Sequence, residues 1–74
     1  MEKLNMVYDL TYDGKFVRVE LSDGRVITCK ADCFGETEDE VTGKAIPDLR
    51  VIKQDKTSEI IDESDIVSIK ALTE

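Results

Sequence analysis

Two Asp-Gly pairs, Asp13-Gly14 and Asp23-Gly24, stand ten residues apart in a chain of 74 residues, each between segments rich in β-branched and aromatic side chains. Asp-Gly suits two-residue hairpin turns, because both central positions need positive φ, which Gly adopts freely and Asp better than most residues. Between the pairs, residues 15–22 alternate, with Val17, Val19 and Leu21 on one face and Arg18, Glu20 and Ser22 on the other. A period of two marks a half-buried strand. The turns therefore predict antiparallel strands joined by short connections.

After the second turn the alternation resumes over residues 25–34, placing Ile27, Cys29, Ala31 and Cys33 on one face and Val26, Thr28, Lys30 and Asp32 on the other. So long a strand predicts a strong bend near residues 31–33, which lets one strand serve two sides of a small barrel. Residues 35–44 carry four acids and two glycines and read as an exposed loop or hairpin tip. Leu49 and Val51 alternate within a strand predicted over 48–54, with Pro47 at its start, where a missing donor is tolerated. Asp55-Lys56 makes a polar turn, residues 57–61 the next strand, residues 62–65 one helical turn, and residues 66–72 a closing strand.

The first twelve residues fit both periods, since Leu4, Val7, Tyr8 and Thr11 suit a helix while Met6, Tyr8, Leu10 and Tyr12 suit a strand. A hairpin turn at Asp13-Gly14 needs two strands to connect, which favours strand. The expected fold is one all-β domain over residues 1–74, a small, strongly bent, five-stranded antiparallel barrel with an extra N-terminal strand or short helix.

Composition narrows the chemistry. No histidine occurs, which removes Ser/His/Asp and Cys/His nucleophiles and His-containing zinc sites. The apolar runs are two or three residues long, against the roughly 20 of a membrane span. The first residues lack the basic start and apolar stretch of a secretory signal, so a cytoplasmic protein is expected. Cys29 and Cys33 are too few for a disulfide framework, and on one strand they would lie about 13 Å apart. Both are expected as small buried apolar residues.

Other constellations have plain structural readings. Glu36, Glu38, Asp39 and Glu40 miss the spacing of a calcium loop and read as solvated loop. Asp62, Glu63 and Asp65 suit the start of a helical turn. Tyr12 and Phe16 would meet at the end of the first hairpin, as a recognition patch or the end of a core. With 17 acids present, a carboxylate pair alone indicates no catalysis. The chain is expected to be non-catalytic, without cofactor or metal. Its net charge of −7 and scattered basic residues also weigh against unspecialised nucleic-acid binding.

Two segments, residues 17–31 (VRVELSDGRVITCKA) and 59–69 (EIIDESDIVSI), resemble the Sm-like (LSm) family of small SH3-like barrels and together span about a third of the chain. Residues 17–31 are similar to that family's opening strands, an alternating strand, a D-G-R turn and a long bent strand. Residues 59–69 are similar to its closing element, a strand, a short helical turn and a final strand. The RNA-binding members carry an aromatic-Asp pair, a downstream Asn and an Arg-Gly pair. Here Phe34 precedes Gly35, the loop has no Asn, and Glu63-Ser64-Asp65 stands before the last strand.

The resemblance thus implies the fold and assembly without the RNA site. In Sm-like rings the fourth strand of one subunit pairs with the fifth of the next. By analogy Thr57, Ser58, Glu59, Ile60 and Ile61 would meet Ile66, Val67, Ser68, Ile69 and Lys70 of a second copy in a homo-oligomer that binds protein partners. In the alternative, a divergent Sm-like protein contacts nucleic-acid phosphates through Arg18, Arg25 and Lys30.

Overall fold

The computed structural model describes residues 2–72. An N-terminal helix α1 (Glu2–Thr11) is followed by five strands: β1 (Val17–Leu21), β2 (Val26–Glu38), β3 (Ala45–Lys53), β4 (Ser58–Asp62) and β5 (Ile66–Ala71). A single 3-10 turn, Glu63–Asp65, joins the last two strands. The strands form one antiparallel sheet in the order β4-β3-β2-β1-β5. No described helix is long and apolar enough to cross a membrane.

Helix α1 corrects the strand expectation for the start of the chain. Leu4, Val7 and Thr11 recur at helical spacing and are buried. The first turn of a helix leaves backbone N–H groups without partners, and here Glu63, far along the chain, supplies an acceptor for two of them. Its carboxylate accepts from the N–H of Lys3 at 2.7 Å and of Leu4 at 3.0 Å. At the other end Gly14 has φ +88° and donates its N–H to the Thr11 carbonyl at 2.9 Å. The first Asp-Gly pair therefore ends a helix, a role that needs the same left-handed residue as a hairpin.

The second Asp-Gly pair does join β1 to β2, with a different turn from the expected one. Leu21 donates to the Arg25 carbonyl at 2.8 Å and Gly24 donates to that of Leu21 at 3.0 Å. Only Gly24, φ +91°, takes a positive angle there. The loop is thus three residues long, with its last residue left-handed. The β3-to-β4 connection repeats it: Lys53 donates to Thr57 O at 2.8 Å, Lys56 donates to Lys53 O at 3.0 Å, and Lys56 holds φ +72°.

The predicted bend in the long strand falls between Ala31 and Cys33, where the β2–β3 register shifts. Past Cys29, which pairs with Val17, β2 runs beyond β1, and the Ala31 N–H donates instead to the Thr11 hydroxyl at 3.0 Å. That hydroxyl itself donates to the Val7 carbonyl at 2.8 Å, so helix and bend share one hydrogen-bonded joint. The extra residue also breaks the alternation. Cys29 is fully buried while Cys33 is exposed, correcting the expectation that both are buried.

Beyond the bend β2 and β3 extend as a two-stranded arm. Residues 35–38, expected in a loop, pair with Asp48, Pro47, Ile46 and Ala45, leaving only residues 39–44 at the tip. Pro47 is accommodated because β3 has a β4 partner only from Asp48 onward.

The core lies inside the bend. Val17, Val19 and Leu21 of β1, Leu49 and Val51 of β3, and Ile61 of β4 face it, and Leu4 and Val7 of α1 cover one end. Each fully buried aliphatic side chain contributes about 1.5–3 kcal/mol. Burial also raises the Cys29 thiol to about 11, leaving it an unreactive apolar filler.

Candidate functional site at the two sheet edges

Strand β4 pairs only with β3, and β5 only with β1, so the described residues leave one side of each without a neighbour. Such an edge presents backbone donors and acceptors to whatever strand can align with it. The edges also carry exposed aliphatic side chains: Ile60 on β4 is 58% exposed and Val67 on β5 is 52% exposed. Val67 points outward because the β1–β5 register shifts at Leu21, which pairs with Ile66.

The residues expected at a subunit contact divide by direction. Ile61 and Ile66 are buried in the core, and Ile69 is half-buried against it. Ser58, Ile60, Val67 and Lys70 are exposed, and Ser68 is half-buried, its hydroxyl donating to the Glu20 carboxylate at 3.2 Å. Thr57 falls just before β4 and closes its turn, donating through its hydroxyl to Asp55 at 2.5 Å.

Glu59 is already engaged within the subunit. It accepts from both arms of Arg25, at 3.1 and 2.6 Å, and from Lys53 Nζ at 3.2 Å. Arg25 also donates through Nε to Asp23 at 2.8 Å. This clasp ties the β1–β2 turn to the edge strand β4. The Arg25 hydrogen bonds, outweighing partial burial, hold the Glu59 carboxyl below its usual range, and the guanidinium is itself raised.

The three basic residues of the nucleic-acid alternative do not converge. Arg25 is committed to the clasp. Lys30 lies 5.4 Å above the Phe16 ring. Arg18 stands on the outer face of β1, between Thr28 of β2 and Lys70 of β5. Both Arg18 and Lys70 are exposed. On the opposite edge, Asp48 of β3 stands directly across from Asp62 of β4. Asp48 is 7% exposed and accepts from the Thr37 hydroxyl at 2.6 Å. One Asp62 oxygen accepts from Ser64 Oγ at 2.6 Å and from the N–H of Asp65 at 3.1 Å, capping the 3-10 turn.

Neither like-charge pair was visible in the sequence, because each joins residues whose apposition depends on strand register. The alternation shows which face a residue takes; the pairing partner does not follow from it.

The aromatic expectation changes too. Tyr12 does not meet Phe16; its ring stands edge-on to Tyr8 at 6.0 Å, and Tyr8 packs on Phe34 at 5.1 Å. At the arm tip Asp39 serves backbone geometry, accepting from the N–H groups of Val41 and Thr42 at 2.8 and 3.3 Å. Among the described residues no group of three or more His, Cys, Asp or Glu side chains is placed to hold a metal ion. Comparison with protein-family models, curated protein sequences and solved structures gives no significant match.

Proposed function

We propose that the protein is a non-catalytic interaction module of the Sm-like, or more broadly SH3-like, type, acting in the cytoplasm and assembling with copies of itself by pairing β4 of one subunit with β5 of the next. The observation that carries this reading is the pair of unpartnered strands bearing exposed Ile60 and Val67 at opposite edges of one sheet. Left alone, such edges invite uncontrolled pairing. A chain of 8.3 kDa also has little core of its own, and burying these edges in a homo-oligomer adds to it. The element order, with a 3-10 turn between the fourth and fifth strands, is the order the sequence resemblance implies. The remaining surface, including the acidic arm, is left for protein partners.

Lysine on an edge strand discourages strand addition, so the variants Ile60→Lys and Val67→Lys test the reading by sedimentation. The expected result is a smaller species that keeps the wild-type circular dichroism. Unchanged sedimentation of both variants contradicts edge pairing.

A second reading, binding of nucleic acid, is favoured by one feature: Arg18, Lys30 and Lys70 lie on the same outer face. Retention of a single-stranded oligonucleotide that weakens steeply with salt supports it, and no retention at low salt excludes it.

A further inference from the structure

Beyond the bend the sheet narrows to two strands. β1 pairs with β2 only as far as Cys29 and β4 with β3 only from Asp48, so residues 36–38 and 45–47 have no third strand beside them among the described residues. Phe34, Glu36 and Glu38 alternate onto the same face of this arm as Leu49, which stands opposite Phe34 and turns into the core. That inner face ends against α1, where Tyr8 packs on Phe34 at 5.1 Å and meets Tyr12 edge-on at 6.0 Å. Tyr12 is 78% exposed and Phe34 40% exposed. With Thr11, Ala31 and Asp32, the two tyrosines line a surface hollow of about 180 Å³. Three aromatic rings thus lead into a row of carboxylates on one uncovered sheet face.

The charge of this face is of one sign. Residues 34–49 hold five acids and one base, Lys44 at the tip. Neither the Glu36 nor the Glu38 carboxylate has a hydrogen-bond or ion-pair partner among the described residues. Asp32 is met only by Arg50, at 3.8 Å, outside hydrogen-bond distance. Exposed ring faces attract cations, Arg more often than Lys, and the guanidinium fork also fits a carboxylate. Glu36 and Glu38, two residues apart on one strand, stand about 6.6 Å from each other along it, the spacing of alternate side chains in an extended peptide.

We infer that the inner face of the arm binds a basic, extended peptide segment of a partner protein, one arginine lying against the rings of Tyr8, Tyr12 and Phe34 and the next basic side chains meeting Glu36 and Glu38. This rests on the interaction-module reading above and adds the chemistry of the partner. A two-stranded ribbon is marginally stable in water by itself, so a segment laid on this face also steadies the arm.

The test is fluorescence anisotropy of a labelled short peptide of alternating Arg and Ser, titrated with the full chain at low salt, with the matching Glu-Ser peptide as control. Binding of the Arg-Ser peptide alone is expected. Tyr12→Phe retains it, whereas Tyr12→Leu, which keeps an apolar side chain without a ring, weakens it about threefold. Glu36→Gln and Glu38→Gln each weaken it to a similar degree, about threefold, as for an exposed ion pair. Glu20→Gln makes the same charge change on the outer face of β1 and leaves the affinity unchanged. All four positions are exposed, so the variants are expected to keep the wild-type circular dichroism. No binding by wild type, unchanged affinity in Tyr12→Leu, or equal weakening by Glu20→Gln overturns the inference. Free arginine amide that competes as well as the peptide assigns the hollow to a small cation and also overturns it. Ile60→Lys and Val67→Lys, which interrupt edge pairing, leave peptide affinity unchanged, so the two readings fail separately: a chain that assembles without binding the peptide loses only the arm site, and a monomer that binds it loses only edge pairing.

Discussion

Arg25 holds Glu59 through both arms of its guanidinium, at 3.1 and 2.6 Å, and so fastens a turn between β1 and β2 to a strand at the sheet's edge. Without it the start of β4 is held only by β3. The Glu59→Gln variant is expected to melt a few degrees lower, with the loss concentrated in amide protection of β4. Equal protection in variant and wild type would show the clasp to be ornamental, as many exposed pairs are.

Acid should loosen the same region. Hydrogen bonds from Arg25 lower the carboxyls of Glu59 and Asp23, and those from the Thr57 hydroxyl and N–H lower that of Asp55. Partial burial opposes ionisation of Glu63, but the N–H groups of Lys3 and Leu4 outweigh it and lower that carboxyl as well. A depressed folded-state pKa means that the unfolded chain binds protons more readily, so stability falls as pH falls. It is expected to be level above about pH 6 and to drop below the ordinary Glu and Asp values of 4.5 and 3.8. Urea midpoints across that range check this; a midpoint independent of pH contradicts it.

Glu63 caps a helix through the N–H of Lys3, sixty residues earlier in the chain. Replacing Glu63 with Ala should cost about 1 kcal/mol, in the range of a lost N-cap, and raise amide exchange in α1 first. Glu63→Gln retains an acceptor and should cost less. Equal losses for both variants would remove the capping role.

The two three-residue turns supply a matched pair of substitutions. Nothing lies within 4 Å of a Cβ built on Gly24, so Gly24→Val tests backbone alone and should cost about 1–2 kcal/mol. Lys56 occupies the equivalent left-handed position with a side chain, so Lys56→Gly is expected to stabilise by up to about 1 kcal/mol. Denaturant midpoints moving in opposite directions confirm the turn geometry. A destabilised Lys56→Gly refutes it.

Much of this architecture is legible in the sequence, and the parts that are not share a cause. The alternation Val17, Val19, Leu21 predicts β1, and the polar run 62–65 predicts the 3-10 turn, because each depends only on neighbours in the chain. The helix α1 escapes because residues 2–11 carry both periods, and the deciding partner, Glu63, lies at the far end of the sequence. Asp13-Gly14 misleads because a helix end and a hairpin require the same positive φ. Cys33 escapes because one inserted residue at the bend reverses the alternation after Ala31. At the candidate edges, Ile60 and Ile61 are indistinguishable by composition. Only the register with Arg50 and Leu49 turns one outward and the other into the core.

Assembly through unpartnered edges sets the absolute mass of the wild-type protein in solution, which light scattering measures over a concentration series. A species of several subunits is expected, its mass constant over a wide range of concentration. A particle of 8.3 kDa at every concentration contradicts it.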